Sequence, residues 1–226
     1  DDARWRANPA DISSLAIRQR FDDDQPNAFG LSDATAEPVD HPGFSGDIDR
    51  GASCNCRRLE LIPHANGTHT ETVGHLSDVA LAPCDCVPSH PCAALLVSIE
   101  LDTLGACDET YGGRTHADDT VLTSASLASA AASHPALPDA SPTALIVRTP
   151  ELDDGRTTRR WAGSNPPYFT QHAIEWVIDR GFSHLLCDLP SIDREEDGGN
   201  LPNHRRWWEL DADDEAPIET TRPAHR

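Results

Sequence analysis

The chain has 226 residues, 38% of them hydrophobic, and a formal net charge of −20 at pH 7, with arginine supplying all 18 basic residues. That length suits one domain with a proper core, so a single domain over 1–226 is expected. The charge predicts a strongly acidic, well-hydrated surface and excludes nucleic acid and anionic membranes as partners, because both would be repelled. No stretch approaches the roughly 20 apolar residues of a membrane span, and the start, DDARWRANPADISS, lacks a signal-peptide pattern. A soluble cytoplasmic protein is the expectation.

Residues 1–57 are polar and turn-rich, with FDDDQPNAFG and HPGFSG reading as loops. RRLELIP (57–63) alternates like a strand and runs straight into the histidine-rich stretch PHANGTHTETVGHL (63–76). CAALLVSIELD (92–102) is a short apolar run, expected as a buried strand, and TVLTSASLASAAAS (120–133) has Leu and Ala at helical spacing with Thr120 or Thr123 as cap. LASAAASHPALPDASP reads as a helix end plus a surface loop. TALIVRTP (143–150) is a second buried strand. TQHAIEWVIDRGF (170–182) is a helix capped by Thr170, buried through Ala173, Ile174 and Val177, and stopped by Gly181. SHLLCDLPS (183–191) is the next strand. Strand, helix and strand in alternation predict an α/β class with parallel pairings.

Seven cysteines without a signal pattern fit reduced thiols rather than a disulfide framework. Cys84, Cys86, His90 and Cys92 in CDCVPSHPC could surround zinc, but the C-x-C opening and the prolines at 88 and 91 do not match a common zinc spacing. In SIDREEDGG the run of acids lacks the alternation and distal glutamate of a calcium loop. A loop with Asp193 and Arg194 paired is the expectation there.

The stretch from Pro63 to Leu76 carries the chemistry. Read as a strand entering a turn, it aims His69 and Glu71 to one side. Imidazole nitrogen with carboxylate oxygen is a ligand mixture that zinc, manganese or iron accepts. Gly67 permits the turn, and the Thr68 and Thr70 hydroxyls can orient the ligands. The competing reading is a histidine-rich surface loop.

HANGTHTETVGH resembles the H-x-G-T-H-x-D-x-P-x-H signature of the cyclase family of metal-dependent hydrolases, which includes kynurenine formamidase and isatin hydrolase. DDDQPNAFG resembles that family's N-terminal substrate loop. NPPYFTQHAIEWVIDRGFSHLLCDLPSIDREEDGG resembles its helix–strand–loop segment, and NHRRWW its late histidine. The likeness spans roughly residues 10 to 208. It implies a swivelling β/β/α fold, a divalent metal (Zn²⁺ or Mn²⁺), and hydrolysis of a C–N amide bond in a small molecule, such as N-formylkynurenine to kynurenine plus formate. Opening of a cyclic amide of the isatin type, or a non-catalytic binding protein on the same fold, are the alternatives. The family also commonly pairs subunits, so a homodimer or higher homo-oligomer is expected.

The resemblance further implies His69, Glu71 and His204 as metal ligands. Glu71 stands in for an aspartate whose carboxylate can bridge two metals. His75 would be the proton shuttle, and Glu219, rather than Glu215, the closing glutamate. Phe29 and Tyr168 would be loop aromatics against the substrate, and Asp188 and Ser191 near-site residues. The family's first histidine falls on Ala65. His64, one residue earlier, would face away on a regular strand unless a bulge brought it in; Asn66 is the alternative oxygen ligand. The proline after the acidic residue is absent. After Trp208 the sequence turns acidic where further strands are expected. In the implied mechanism the metal activates water, the water attacks the carbonyl carbon, and an imidazole, titrating near about pH 6.5 in ordinary surroundings, carries the proton to the leaving nitrogen.

Overall fold

The computed structural model describes residues 8, 10–21, 24–88, 91–134, 142–152, 155–210 and the backbone of 224–225. The chain forms two compact units. The smaller comprises Leu15–Thr68 and Gly155–Ser164, and the larger comprises Asp1–Ser14, His69–Asp154 and Asn165–Arg226.

In the smaller unit β1 (Thr35–Pro38) pairs antiparallel with β4 (Arg57–Glu60), Thr35 opposite Glu60. Between them HPGFSG, expected as a loop, closes a tight hairpin of β2 (Asp40–His41) and β3 (Phe44–Ser45). Pro42–Gly43 is its centre, and Gly43 takes φ +85°, a conformation a side chain would strain. The loop before β1 is clipped by a buried side chain: Gln25 Nε2 donates to the Ala34 carbonyl at 3.0 Å and Gln25 Oε1 accepts from the Ala34 N–H at 2.7 Å.

The segment after β4 departs from expectation. Residues 63–66 form a single helical turn, α1 (Pro63–Asn66), instead of extending the strand. Pro63 supplies the fixed φ that suits a first helical position, and Asn66 Oδ1 folds back to accept the Ile62 N–H at 2.7 Å. Strand alternation therefore does not govern His64 and Ala65, and no bulge is present there.

The larger unit contains a five-stranded sheet in the order β5-β12-β11-β9-β6. Its strands are β5 (Thr70–Glu71), β6 (Ala94–Ser98), β9 (Ala144–Arg148), β11 (His184–Cys187) and β12 (Ala224–His225). The last four are mutually parallel and β5 is antiparallel to β12. The acidic tail thus regains a strand at 224–225, which Glu71 meets across the ladder at Ala224. A second sheet sets β8 (Thr120–Leu122) between β7 (Asp102–Thr103), antiparallel, and β10 (Tyr168–Phe169), parallel. Mixed α/β architecture with parallel pairing is therefore observed.

The other α-helices among the described residues are α2 (Pro83–Cys86), α3 (Ser124–Ala132), α4 (Gln171–Asp179) and α5 (Pro202–Trp207). Helix α3 starts later than its apolar pattern suggested, because Thr120–Leu122 are β8 and Thr123 is the cap, accepting from the Ser126 N–H. Helix α4 matches its pattern: Thr170 Oγ1 accepts from the Ala173 N–H at 3.1 Å, and Ala173, Ile174 and Val177 are fully buried. They pack with Leu145, Leu185, Trp207 and Trp208 in one core. Each such large side chain withdrawn from water contributes about 1.5–3 kcal/mol. Strand β6 is less buried than its composition predicts, with Leu96 50% exposed, because it lies at the sheet edge. No helix among the described residues is long and apolar enough to cross a membrane.

Candidate metal centre

Strand β5, the residue before it and the turn after it deliver His69, Glu71 and His75 in the larger unit. Thr72 caps a short 3₁₀ turn, Val73–His75, its hydroxyl accepting from the Gly74 N–H. The turn ends on His75, which is exposed. Glu71, on the strand, is 3% exposed. A buried carboxylate needs charged or hydrogen-bonding partners, and imidazoles flank both of its oxygens. His69 Nε2 lies 3.1 Å from Glu71 Oε1, as the shared side of an extended backbone predicts. His204 Nε2 lies 3.4 Å from Glu71 Oε2.

His204 arrives from α5. It is 1% exposed, and its ring sits 5.7 Å from that of His75 and 5.5 Å from that of Trp208. Potential ligand atoms of Glu71, His75 and His204 all lie within 4.8 Å of one another. Two imidazoles and a carboxylate at that spacing are a donor set that zinc or manganese accepts; Glu71 and His204 fit a divalent cation, and His75 stands close enough to serve either as a ligand or as a proton carrier beside it.

His204 is held from behind by Asp193, in the loop after β11. Its Nδ1 is hydrogen-bonded to Asp193 Oδ2. Oδ2 also accepts from the His204 backbone N–H at 3.1 Å, while Oδ1 accepts from the Asn203 N–H at 2.8 Å and from the Tyr111 hydroxyl at 2.8 Å. Burial alone would raise the Asp193 pKa, but His204 and these donors outweigh it and hold the carboxyl below the usual range. Tyr111 is pushed up by burial and by Asp193 beside it.

The expected pairing of Asp193 with Arg194 is not formed. Arg194 turns instead to Asp119, with Nε donating to Oδ2 at 2.9 Å. The same carboxylate accepts from Asn165 Nδ2 at 2.8 Å, the His116 N–H at 3.0 Å and the Tyr168 hydroxyl at 2.7 Å. Tyr168 is therefore not a loop aromatic: it lies in β10, is 0% exposed, and uses its hydroxyl within this network.

The remaining expected residues fall as follows. His64 is on α1 of the smaller unit. Asn66 engages the backbone, its Oδ1 accepting from the Ile62 N–H and its Nδ2 donating to the Ser32 carbonyl. Phe29, also in the smaller unit, is 37% exposed and carries a strained φ of +60°. Asp188 accepts two hydrogen bonds from Thr149, each at 2.8 Å, and Ser191 Oγ accepts from the Asp193 N–H at 2.9 Å. Glu215, Glu219 and His90 lie outside the described residues. All seven cysteines are free thiols, and no cluster of metal-ligating groups among the described residues includes one. Sequence reasoning missed Asp193 and Tyr111 as partners of the histidine. The one available signal was a carboxylate eleven residues before His204 in a loop leaving a strand.

The family model described as "putative cyclase" matches residues 13–194. The match includes His69, Glu71, His75 and Asp193 and ends before His204. No curated protein matches the chain.

Proposed function

The chain belongs to the cyclase family, and on that premise we propose that it is a metal-dependent hydrolase of C–N amide bonds on the family's swivelling β/β/α fold. The observation that carries this reading is the buried Glu71 with an imidazole at each oxygen, His69 at 3.1 Å and His204 at 3.4 Å. These three side chains would hold zinc or manganese. His64 and Glu219, implied by the family pattern, are further proposed ligands to be tested by substitution. A bound divalent cation supplies Lewis-acid polarisation of a carbonyl and a water of lowered pKa.

The chain's own groups do the rest. Asp193 keeps the His204 ring in one orientation, with Nδ1 turned to the carboxylate and Nε2 toward Glu71. His75, exposed and beside His204, can exchange a proton with solvent and deliver it to the leaving nitrogen. Phe29 is the proposed aromatic contact for a flat substrate ring.

N-formylkynurenine is the proposed substrate class, an aryl formamide. Zinc- or manganese-loaded protein should release formate from it, whereas turnover of isatin alone would move the reading to cyclic amides. Stoichiometric metal with neither activity would favour a binding protein. Ala65, at the position of the family's first histidine and only 3% exposed, is the observation behind that second reading.

A further inference from the structure

Four hydrogen-bond donors converge on Asp193: the Tyr111 hydroxyl and the Asn203 N–H on Oδ1, and the His204 N–H and ring Nδ1 on Oδ2. The residue is 2% exposed and so is sheltered from competing water. Only a group that accepts at every lone pair satisfies that arrangement; an amide would turn its NH₂ against two donors, whichever way it were rotated. The carboxylate is in turn fixed by its neighbours. The Ser191 hydroxyl accepts the Asp193 N–H, and the Arg194 N–H donates to the same Tyr111 oxygen at 3.2 Å.

From this geometry we propose that Asp193, steadied by Tyr111, is a positioning residue. It holds one proton of His204 on Nδ1, so that Nε2, which faces Glu71, is the nitrogen that gives its electron pair to a bound cation. A histidine with a proton on Nε2 offers no electron pair on that side and cannot serve there as a ligand or acceptor. The proposal rests on the hydrolase reading for what Nε2 does, but not for where the proton sits. Asp193 touches no substrate in this scheme; it acts through the ring it orients. The adjacent Arg194 serves Asp119 instead, so two successive side chains of one loop divide between the histidine cluster and the core.

The test uses full-length protein, with the unfolding midpoint as a check on folding. In metal-free wild type, ¹⁵N–¹H correlation of the His204 ring should show Nδ1 protonated. In Asp193→Asn, Nδ1 should lose that proton, and zinc affinity by titration should fall about 10- to 100-fold, the usual cost of losing a carboxylate behind a ligating histidine. In Tyr111→Phe the carboxylate has one donor fewer and accepts more strongly from the ring, so the Nδ1–H resonance should move downfield. A folded Asp193→Asn protein with the Nδ1 proton retained and zinc affinity within threefold of wild type would overturn the proposal. If Asp193→Asn does not fold, an unmoved His204 resonance in Tyr111→Phe overturns it equally. Failure of the wild type to bind zinc or manganese would count against the hydrolase reading, and the ring spectrum would still decide the role of Asp193.

Discussion

Asp119 and Glu71 are carboxylates of the same unit, 1% and 3% exposed, and they are satisfied in opposite ways. Asp119 receives a guanidinium, an amide, a phenol and a backbone N–H, groups that keep their protons at any physiological pH. It joins β8, β10 and the loop after β11 into one knot. Glu71 instead faces two imidazoles, which can donate, accept or ligate according to where their protons are. Burial of a charge is common to both; only the second has partners that can be turned over to a cation. A buried acid is therefore diagnostic of a site by the chemistry of its neighbours, not by its burial.

The contrast can be broken from either side. The largest effect is expected at the histidine cluster: His75→Ala should lower amide hydrolysis by roughly two to four orders of magnitude, the scale of a lost acid–base group, while metal content stays unchanged. Equal loss of metal and activity would make His75 a ligand, as its position within ligand distance of Glu71 and His204 allows. On the other side, Asp119→Ala leaves Arg194 buried without its charge partner and should destabilise the fold by about 3–5 kcal/mol in urea titration.

Acid should weaken the network around Asp119. Burial acts to raise the pKa of Asp119, but Arg194 and the other donors reverse this and hold it well below the usual range. Its stabilising contribution is thus complete above the unfolded-state pKa of about 3.9 and is lost as pH falls through the depressed folded value. The unfolding midpoint should drop as pH is lowered below about 4, and the drop should be shallower in a folded Asp119→Asn protein. A smaller effect is expected at the start of α4, where Thr170→Ala removes a helix cap and should cost about 1 kcal/mol.

Much of this fold was legible in the sequence where periodicity and caps agree. Helix α4 with Thr170 and Gly181, and strands β9 and β11 with their parallel pairing, follow from pattern alone. The extended spacing of His69 and Glu71 likewise places them together. What pattern could not reach was set by a competing local device or by distant packing. Pro63 and the back-folded Asn66 turned an apparent strand into a helical turn. The exposure of Leu96 follows from which strand lies at the sheet edge. Asp193 was misassigned to Arg194 because neighbours in sequence look like a pair, whereas in the fold they diverge toward His204 and Asp119.

The central claim is that the imidazole-flanked carboxylate, and not the guanidinium-bound one, is the metal centre. Zinc titration of purified, folded protein tests it directly, with Glu71→Gln and Asp119→Asn beside the wild type. Stoichiometric binding that is lost or greatly weakened in Glu71→Gln and kept in folded Asp119→Asn is the expected result. Unchanged zinc affinity in Glu71→Gln would contradict it.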